Sequence, residues 1–271
     1  NITPLSDAPV MTPALAAAAY TENGAALTVD ATTTVTDVDD TQIASGSVSI
    51  TTGLLTGDTL AVTTTGSNVT ASYNSGTGVL TLSGTDTLAK YQGVLRSLTY
   101  VTASDDPTDN GTKTSRVLTY SLTDANSDGA GAATGTATKT INITPVNDKP
   151  VMTAGATLAY TENDPAIAID GTVTLSDLDD TQMTGATVTI SAGLTTGDVL
   201  AVATQNGISG SYNAGTGVLT LTGTATLANY QTALRSVKYS STSEDPTQTS
   251  TSRTVSWRVT DANSDLAGAQ T

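Results

Sequence analysis

Gly76-Thr77-Gly78-Val79-Leu80-Thr81-Leu82 returns without change as Gly215 to Leu221. With Asn74-Ser75 before it, the first copy reads as a tight turn that opens onto alternating apolar and polar residues. That is a hairpin strand with one buried face. The Gly-x-Gly has no helix after it, so it is a turn and not a phosphate-binding loop. Outward from this run the chain repeats itself at about 140 residues. Tyr20-Thr21-Glu22-Asn23 recurs from Tyr160, Asp37-Val38-Asp39-Asp40-Thr41-Gln42 as Asp177-Leu178-Asp179-Asp180-Thr181-Gln182, and Thr123-Asp124-Ala125-Asn126-Ser127-Asp128 from Thr260. A period this long makes each copy a domain and not a solenoid unit.

The copies are offset from the ends of the chain. Asn1-Ile2-Thr3-Pro4 matches Asn142 to Pro145, and Thr271 aligns with Thr134. Residues 1–6 are therefore expected to be the tail of a preceding repeat, residues 7–147 a first domain and residues 148–271 a second that lacks its last strand. The unmatched stretch, Gly135 to Ile141, alternates as a strand does. The expectation is a piece of a longer tandem array, which accounts for the lack of a signal peptide.

Composition narrows the chemistry. The 271 residues hold 58 Thr, 22 Asp and 3 Glu, a net charge of -15, and no Cys or His. A His-based triad, a His or Cys zinc site, an iron–sulfur cluster and disulfides are excluded. The acid excess repels phosphate backbones, so no nucleic-acid partner is expected, and no apolar run is long enough for a membrane span. Thr and Val with little Glu or Lys favour strands. Leu118, Tyr120 and Leu122, matched by Val255, Trp257 and Val259, alternate as the inward face of a central strand. Leu88, Tyr91, Leu95 and Leu98, and likewise Leu227, Tyr230, Leu234 and Val237, predict one short amphipathic helix per copy. About seven strands in about 130 residues make a β-sandwich the default.

The Asp residues fall between strands. Isolated cases such as Asp58, Asp86 and Asp198 read as surface turn acids. Clusters such as Asp37, Asp39 and Asp40, or Asp105 with Asp106, do not. Two carboxylates near 4 Å repel by roughly 4 kcal/mol at an effective dielectric of 20. Loops that gather several oxygen ligands suit a hard cation, Ca²⁺ in particular.

Five motifs, in order, resemble those of cadherin repeats. They are Glu22 in Tyr-Thr-Glu-Asn, Asp105-Asp106 before the penultimate strand, Asp124 after it, the linker Pro145-Val146-Asn147-Asp148-Lys149-Pro150, and Asp177-Leu178-Asp179. The amino-terminal Ser6-Asp7-Ala8-Pro9 matches part of that linker. The resemblance covers essentially the whole chain and is nearest to bacterial cadherin-like repeats, the extender regions of large secreted surface adhesins of the RTX, type I secreted kind. It implies two tandem cadherin-like, Ig-like Greek-key β-sandwiches, all-β with one short helix each, joined by a short linker. It also implies Ca²⁺ ligands at the junction: Glu22, Asp105 and Asp106 above, Asn147 and Asp148 in the linker, and Asp177, Asp179 and Asp261 below, with Asp180 competing for the place of Asp179. Half-sites toward neighbouring repeats would use Asp7, Asp37, Asp39 and Asp124 at one end and Glu162, Glu244 and Asp245 at the other. Pro145 and Lys149 depart from the cadherin linker, so one or two ions are expected and not three.

The implied function is a calcium-stiffened extender on a bacterial cell surface, with neighbouring repeats of the same chain as partners. Two alternatives stand beside it: a self-assembling filament or surface-layer subunit, and a homophilic or glycan-binding module. A glycosidase pair at Glu244-Asp245 is disfavoured because the acidic pair recurs in both copies, and no enzyme is expected.

Overall fold

Asn74 shows why the repeated run folds as it does. Its Oδ1 accepts from the Gly76 and Thr77 amides, which closes the turn, and Asn74 then pairs with Val79 across the hairpin. Gly78 sits at φ +67°, where a Cβ would meet the Leu54 side chain at 2.9 Å, so glycine is required there. The computed structural model describes residues 3, 5–127 and 129–271. Asn1, Ile2 and Pro4 of the expected tail, and Asp128 of the Thr-Asp-Ala-Asn-Ser-Asp run, lie outside the described residues. The chain divides into two units, Asn1–Val146 and Asn147–Thr271.

The first unit comprises β1 (Val10–Thr12), β2 (Ala18–Thr21), β3 (Leu27–Thr28), β4 (Thr34–Thr36), β5 (Gln42–Thr52), β6 (Thr59–Ala61), β7 (Thr70–Asn74), β8 (Val79–Thr87), α1 (Leu88–Arg96), β9 (Thr99–Val101), β10 (Ser115–Asp124) and β11 (Thr134–Thr144). The strand count exceeds the seven or so expected because two- and three-residue ladders separate from the long strands. One sheet runs β2-β11-β10-β5-β8-β7, a second β3-β9-β6, and β1 pairs with β4. Both larger sheets feed one core: Val48, Leu80, Leu118 and Tyr120 from the first, Leu60 and Tyr100 from the second, with Tyr91 and Leu95 of α1. This is an all-β sandwich with one helix. Along β10 every second residue is buried, Arg116, Leu118, Tyr120, Leu122 and Asp124, as a central strand requires.

The helix begins where Thr87 accepts from the Lys90 amide, and Arg96 in its last turn donates Nε to the Thr33 carbonyl at 2.8 Å. The second unit repeats this plan with β12 (Val151–Thr153), β13 (Ile167–Ala168), β14 (Thr174–Ser176), β15 (Gln182–Ala192), β16 (Asp198–Ala201), β17 (Ser209–Asn213), β18 (Val218–Thr226), α2 (Leu227–Arg235), β19 (Lys238–Ser241) and β20 (Thr254–Asp261). Its sheets are β17-β18-β15-β20, β13-β19-β16 and β12-β14. Here β20 is an edge strand, since nothing among the described residues takes the place of β11. The expected inward face is accordingly only partly buried: Val259 is in the core, whereas Val255 and Trp257 are half-exposed. Among the described residues no helix is long and apolar enough to cross a membrane.

Asp58 and Asp198 are not surface turn acids. Asp58 is 1% exposed, with Arg116 Nε at 2.6 Å and the Tyr100 hydroxyl donating at 2.6 Å. Asp198 does the same with Arg253 and Tyr239, at 2.6 and 2.7 Å. Burial and the neighbouring carboxylate push the Tyr239 hydroxyl up to about 12. Each Arg also reaches a loop carbonyl, Pro107 or Pro246, so the ion pair fastens the second sheet to the loop before the penultimate strand. Asp86 does serve a turn, accepting from the Asn68 and Thr87 amides, but it too is largely buried.

Candidate metal centre

In the second unit the acids of one loop fold onto each other first. Asp177 Oδ1 accepts from the amides of Asp179 at 3.3 Å and Asp180 at 3.0 Å, which turns the segment between β14 and β15 back on itself. Asp179 Oδ2 accepts from the Asp148 amide at 2.7 Å. Asp180 Oδ1 takes both the amide and the hydroxyl of Ser264. Asp261, at the end of β20, holds the Gln270 amide at 2.8 Å and the Asn147 side-chain amide at 3.2 Å. Asn147 Nδ2 also donates to the Asp148 carbonyl, and Gln270 Nε2 donates to the Asn147 carbonyl at 3.0 Å.

Among the described residues, one oxygen of each of these groups is left without a partner: Asp177 Oδ2, Asp179 Oδ1, Asp180 Oδ2, Asp265 Oδ2 and Asn147 Oδ1. All but Asp177 are more than nine-tenths buried. Asp177, Asp180 and Asp261 each offer an oxygen within 4.8 Å of the others. Among the described residues, no lysine or arginine ion-pairs with any of the five carboxylates. Burial, with Asp177 sharing a hydrogen bond and adding its charge, pushes the Asp179 carboxyl up to about 7. Burial and then the charges of Asp179, Asp180 and Asp261 raise Asp265 as well. Orphaned buried oxygens cost free energy. A cation that accepts only oxygen ligands, six to eight of them, offsets that cost, and the donor set fits Ca²⁺.

The first unit builds the same arrangement. Asp37 Oδ1 accepts from Asp39 and Asp40, Asp39 Oδ2 from the Asp7 amide at 3.0 Å, and Asp40 Oδ1 from both groups of Ser127. Asp124 holds the Ala133 amide at 2.7 Å and the Ser6 hydroxyl at 3.4 Å. Asp37, Asp39 and Asp40 bring oxygens within 4.8 Å of one another, and Asp37 Oδ2 and Asp40 Oδ2 have no partner among the described residues. Burial foremost, and then Asp39, raise the Asp37 carboxyl.

The other expected ligands are placed differently. Glu22 is buried, accepts from the Val146 amide at 2.8 Å, and shares with Asp105 an oxygen separation within 4.8 Å. Asp106 is engaged by its own loop, holding the amides of Thr108 and Asn110 and the Asn110 side chain. Glu162, Glu244 and Asp245 are exposed and, among the described residues, form no such group. Glu22 is fixed by the end of β11 through its own amide to Thr144, and Glu162 has no strand there to fix it. Asp265 and Ser264 were missed as site residues. Their signal was the Asn-Ser-Asp that closes the recurring run, read only as evidence of repetition.

No family model matches the chain. Over an alignment of 144 positions that covers 48% of the chain, it is 36% identical to halomucin of Haloquadratum walsbyi, of which the alignment spans 2%. Among solved structures, the chain is similar to a protocadherin gammaB7 EC3-6 cis-dimer (15% identity, TM-score 0.28, 78% of this chain and 41% of that one). It is also similar to the protocadherin gammaB4 extracellular domain (16%, 0.29, 80% and 28%) and to zebrafish RET cadherin-like domains 1 to 4 (11%, 0.25, 82% and 38%). The chain thus spans less than half of each relative, and its all-β class rests on its own strand pairing.

Proposed function

We propose that the chain is a pair of calcium-binding structural repeats from an extracellular surface protein, acting as a non-catalytic spacer. The observation that carries this reading is the set of buried, unpartnered carboxylate oxygens built the same way in both units. In the second unit Asn147, Asp177, Asp179, Asp180, Asp261 and Asp265 would hold the ion, and in the first Asp37, Asp39, Asp40 and Asp124 would. Bound calcium supplies charge neutralisation and nothing chemical beyond it. The residues themselves bring the chain entering each unit, at Asp7 and Asp148, against the Asp-x-Asp-Asp loop. Sharing of the second ion with Glu22, Asp105 and Asp106 is supported by the motif order alone, as is the extender role. Location outside the cell accords with the cadherin-like motifs and with the match to halomucin.

Calorimetric titration of the chelator-stripped chain tests this. Extracellular modules bind Ca²⁺ at roughly 10⁻⁴–10⁻³ M, and at least one ion per unit is expected in that range, with Mg²⁺ competing poorly. No heat and no bound calcium at millimolar concentration would overturn the reading.

A further inference from the structure

In the first unit β7 ends the six-stranded sheet, and among the described residues no strand pairs with its outer side. Natural edges are blunted by short length, by charge or by proline. At the ends of the two larger sheets β3 has two residues, β6 three and β2 four. By contrast β7 has five, Thr70-Ala71-Ser72-Tyr73-Asn74, with no charge and no proline. Four of the five are exposed. Across the hairpin Thr70, Ser72 and Asn74 face Ser83, Thr81 and Val79 of β8, so the neighbouring row is uncharged too, in a chain of net charge -15. Ala71 is the odd position. It stands on the core face, opposite fully buried Leu82, yet it is exposed. Beside it Tyr73 is half-buried, and its hydroxyl donates to the Asp58 carbonyl at 2.9 Å, which holds the ring in place at the rim of the core.

We propose that β7 pairs with β7 of a second copy of the chain, antiparallel about a two-fold axis through Ser72, so that their two large sheets become one. Such strand addition satisfies the open N–H and C=O groups of both edges. The strand is self-complementary about its centre. Thr70 meets Asn74 of the second copy, and Ala71 meets its Tyr73, each pair occurring twice. The ring then covers the methyl group that is open in the single chain, a cross-strand contact of the kind that stabilises sheets. Charge selects a second copy as the occupant. Two strongly acidic chains repel over most of their surfaces, and they approach most easily where both are uncharged. The proposal is confined to β7. In β17 the matching residue is Gly210, where a Cβ would meet Val202 Cγ1 at 2.3 Å, so no open apolar position remains for a second copy to cover. Two five-residue edges bury less than the roughly 1,200 Å² of a stable complex, so a single contact is weak and repetition along a surface strengthens it.

Sedimentation of the whole chain, from micromolar to millimolar, tests this at about 0.15 M and about 1 M salt. A reversible monomer–dimer equilibrium is expected, tighter at the higher salt because the repulsion between like-charged chains is screened. New hydrogen-exchange protection along residues 70–74 should accompany it. Ser72→Lys and Ser72→Glu each set like charges opposite one another on the axis, so each should weaken dimerisation several-fold. An equimolar mixture of the two should recover it, since Lys then faces Glu. Ser72 is exposed, so both variants keep the fold, which circular dichroism checks. A monomer under every condition, a dimer that Ser72→Lys leaves intact or that Ser211→Lys breaks instead, or a mixture no tighter than its components would each overturn the proposal.

Discussion

Asp180 gives one oxygen to Ser264 and keeps the other for a cation. Asp180→Asn or Asp261→Asn should therefore weaken calcium binding by the second unit at least about tenfold, the scale of a lost charged contact in a buried site. Asp109→Asn, in an exposed pair with Lys113, should leave it unchanged. Calorimetry on the three variants decides, and equal isotherms would refute the assignment. Asp58 is of another kind. Removing one partner of a buried ion pair costs about 3–5 kcal/mol, so Asp58→Ala should lower the denaturation free energy of the first unit by that order. Chemical unfolding monitored by circular dichroism measures it. The sequence could not show this role, since Tyr100 and Arg116 lie 42 and 58 positions away and only folding brings them to Asp58. The acidic loops were legible because Asp37 to Asp40 and Asp177 to Asp180 are local. Asp265 escaped notice because nothing in its own run marks it as buried.

Among the elements, those set by neighbours in sequence could be read in advance. The hairpin at Asn74–Val79 and the two helices depend on turn chemistry and on a three-to-four spacing, and both form where expected. Strand burial was harder to read, because the same alternation is a central strand as β10 and an edge as β20. What differs is the presence of β11, which lies outside the strand being read. Helix α1 offers a clean local test. Thr87→Ala removes the side-chain acceptor for the Lys90 amide and should cost about 1 kcal/mol. A thermal shift of several degrees confined to the first unit is the expected readout, while Thr232→Ala, exposed in α2, should change little.

For the whole molecule, repetition is the main fact. Both units carry the same acidic site, so calcium should raise the thermal stability of both, and a chelator should lower it by many degrees. Differential scanning calorimetry with and without chelator checks this, and coincident traces would refute it. Among the described residues the two units differ in one pairing, since β2 and β11 run side by side in the first.

That difference bears on mechanical strength. In the first unit β2 and β11 run parallel, with Ala18 opposite Ile141 and Thr21 opposite Thr144. A pull on the two ends of that unit drags these strands past one another, so their evenly spaced hydrogen bonds are sheared together and not unzipped one at a time. The second unit has no such clasp among its described residues. Stretching single molecules should therefore show a distinct high-force rupture of the first unit, the rupture force reporting the unfolding barrier and not the equilibrium stability. A spacer that carries load would owe its strength to that short parallel pair.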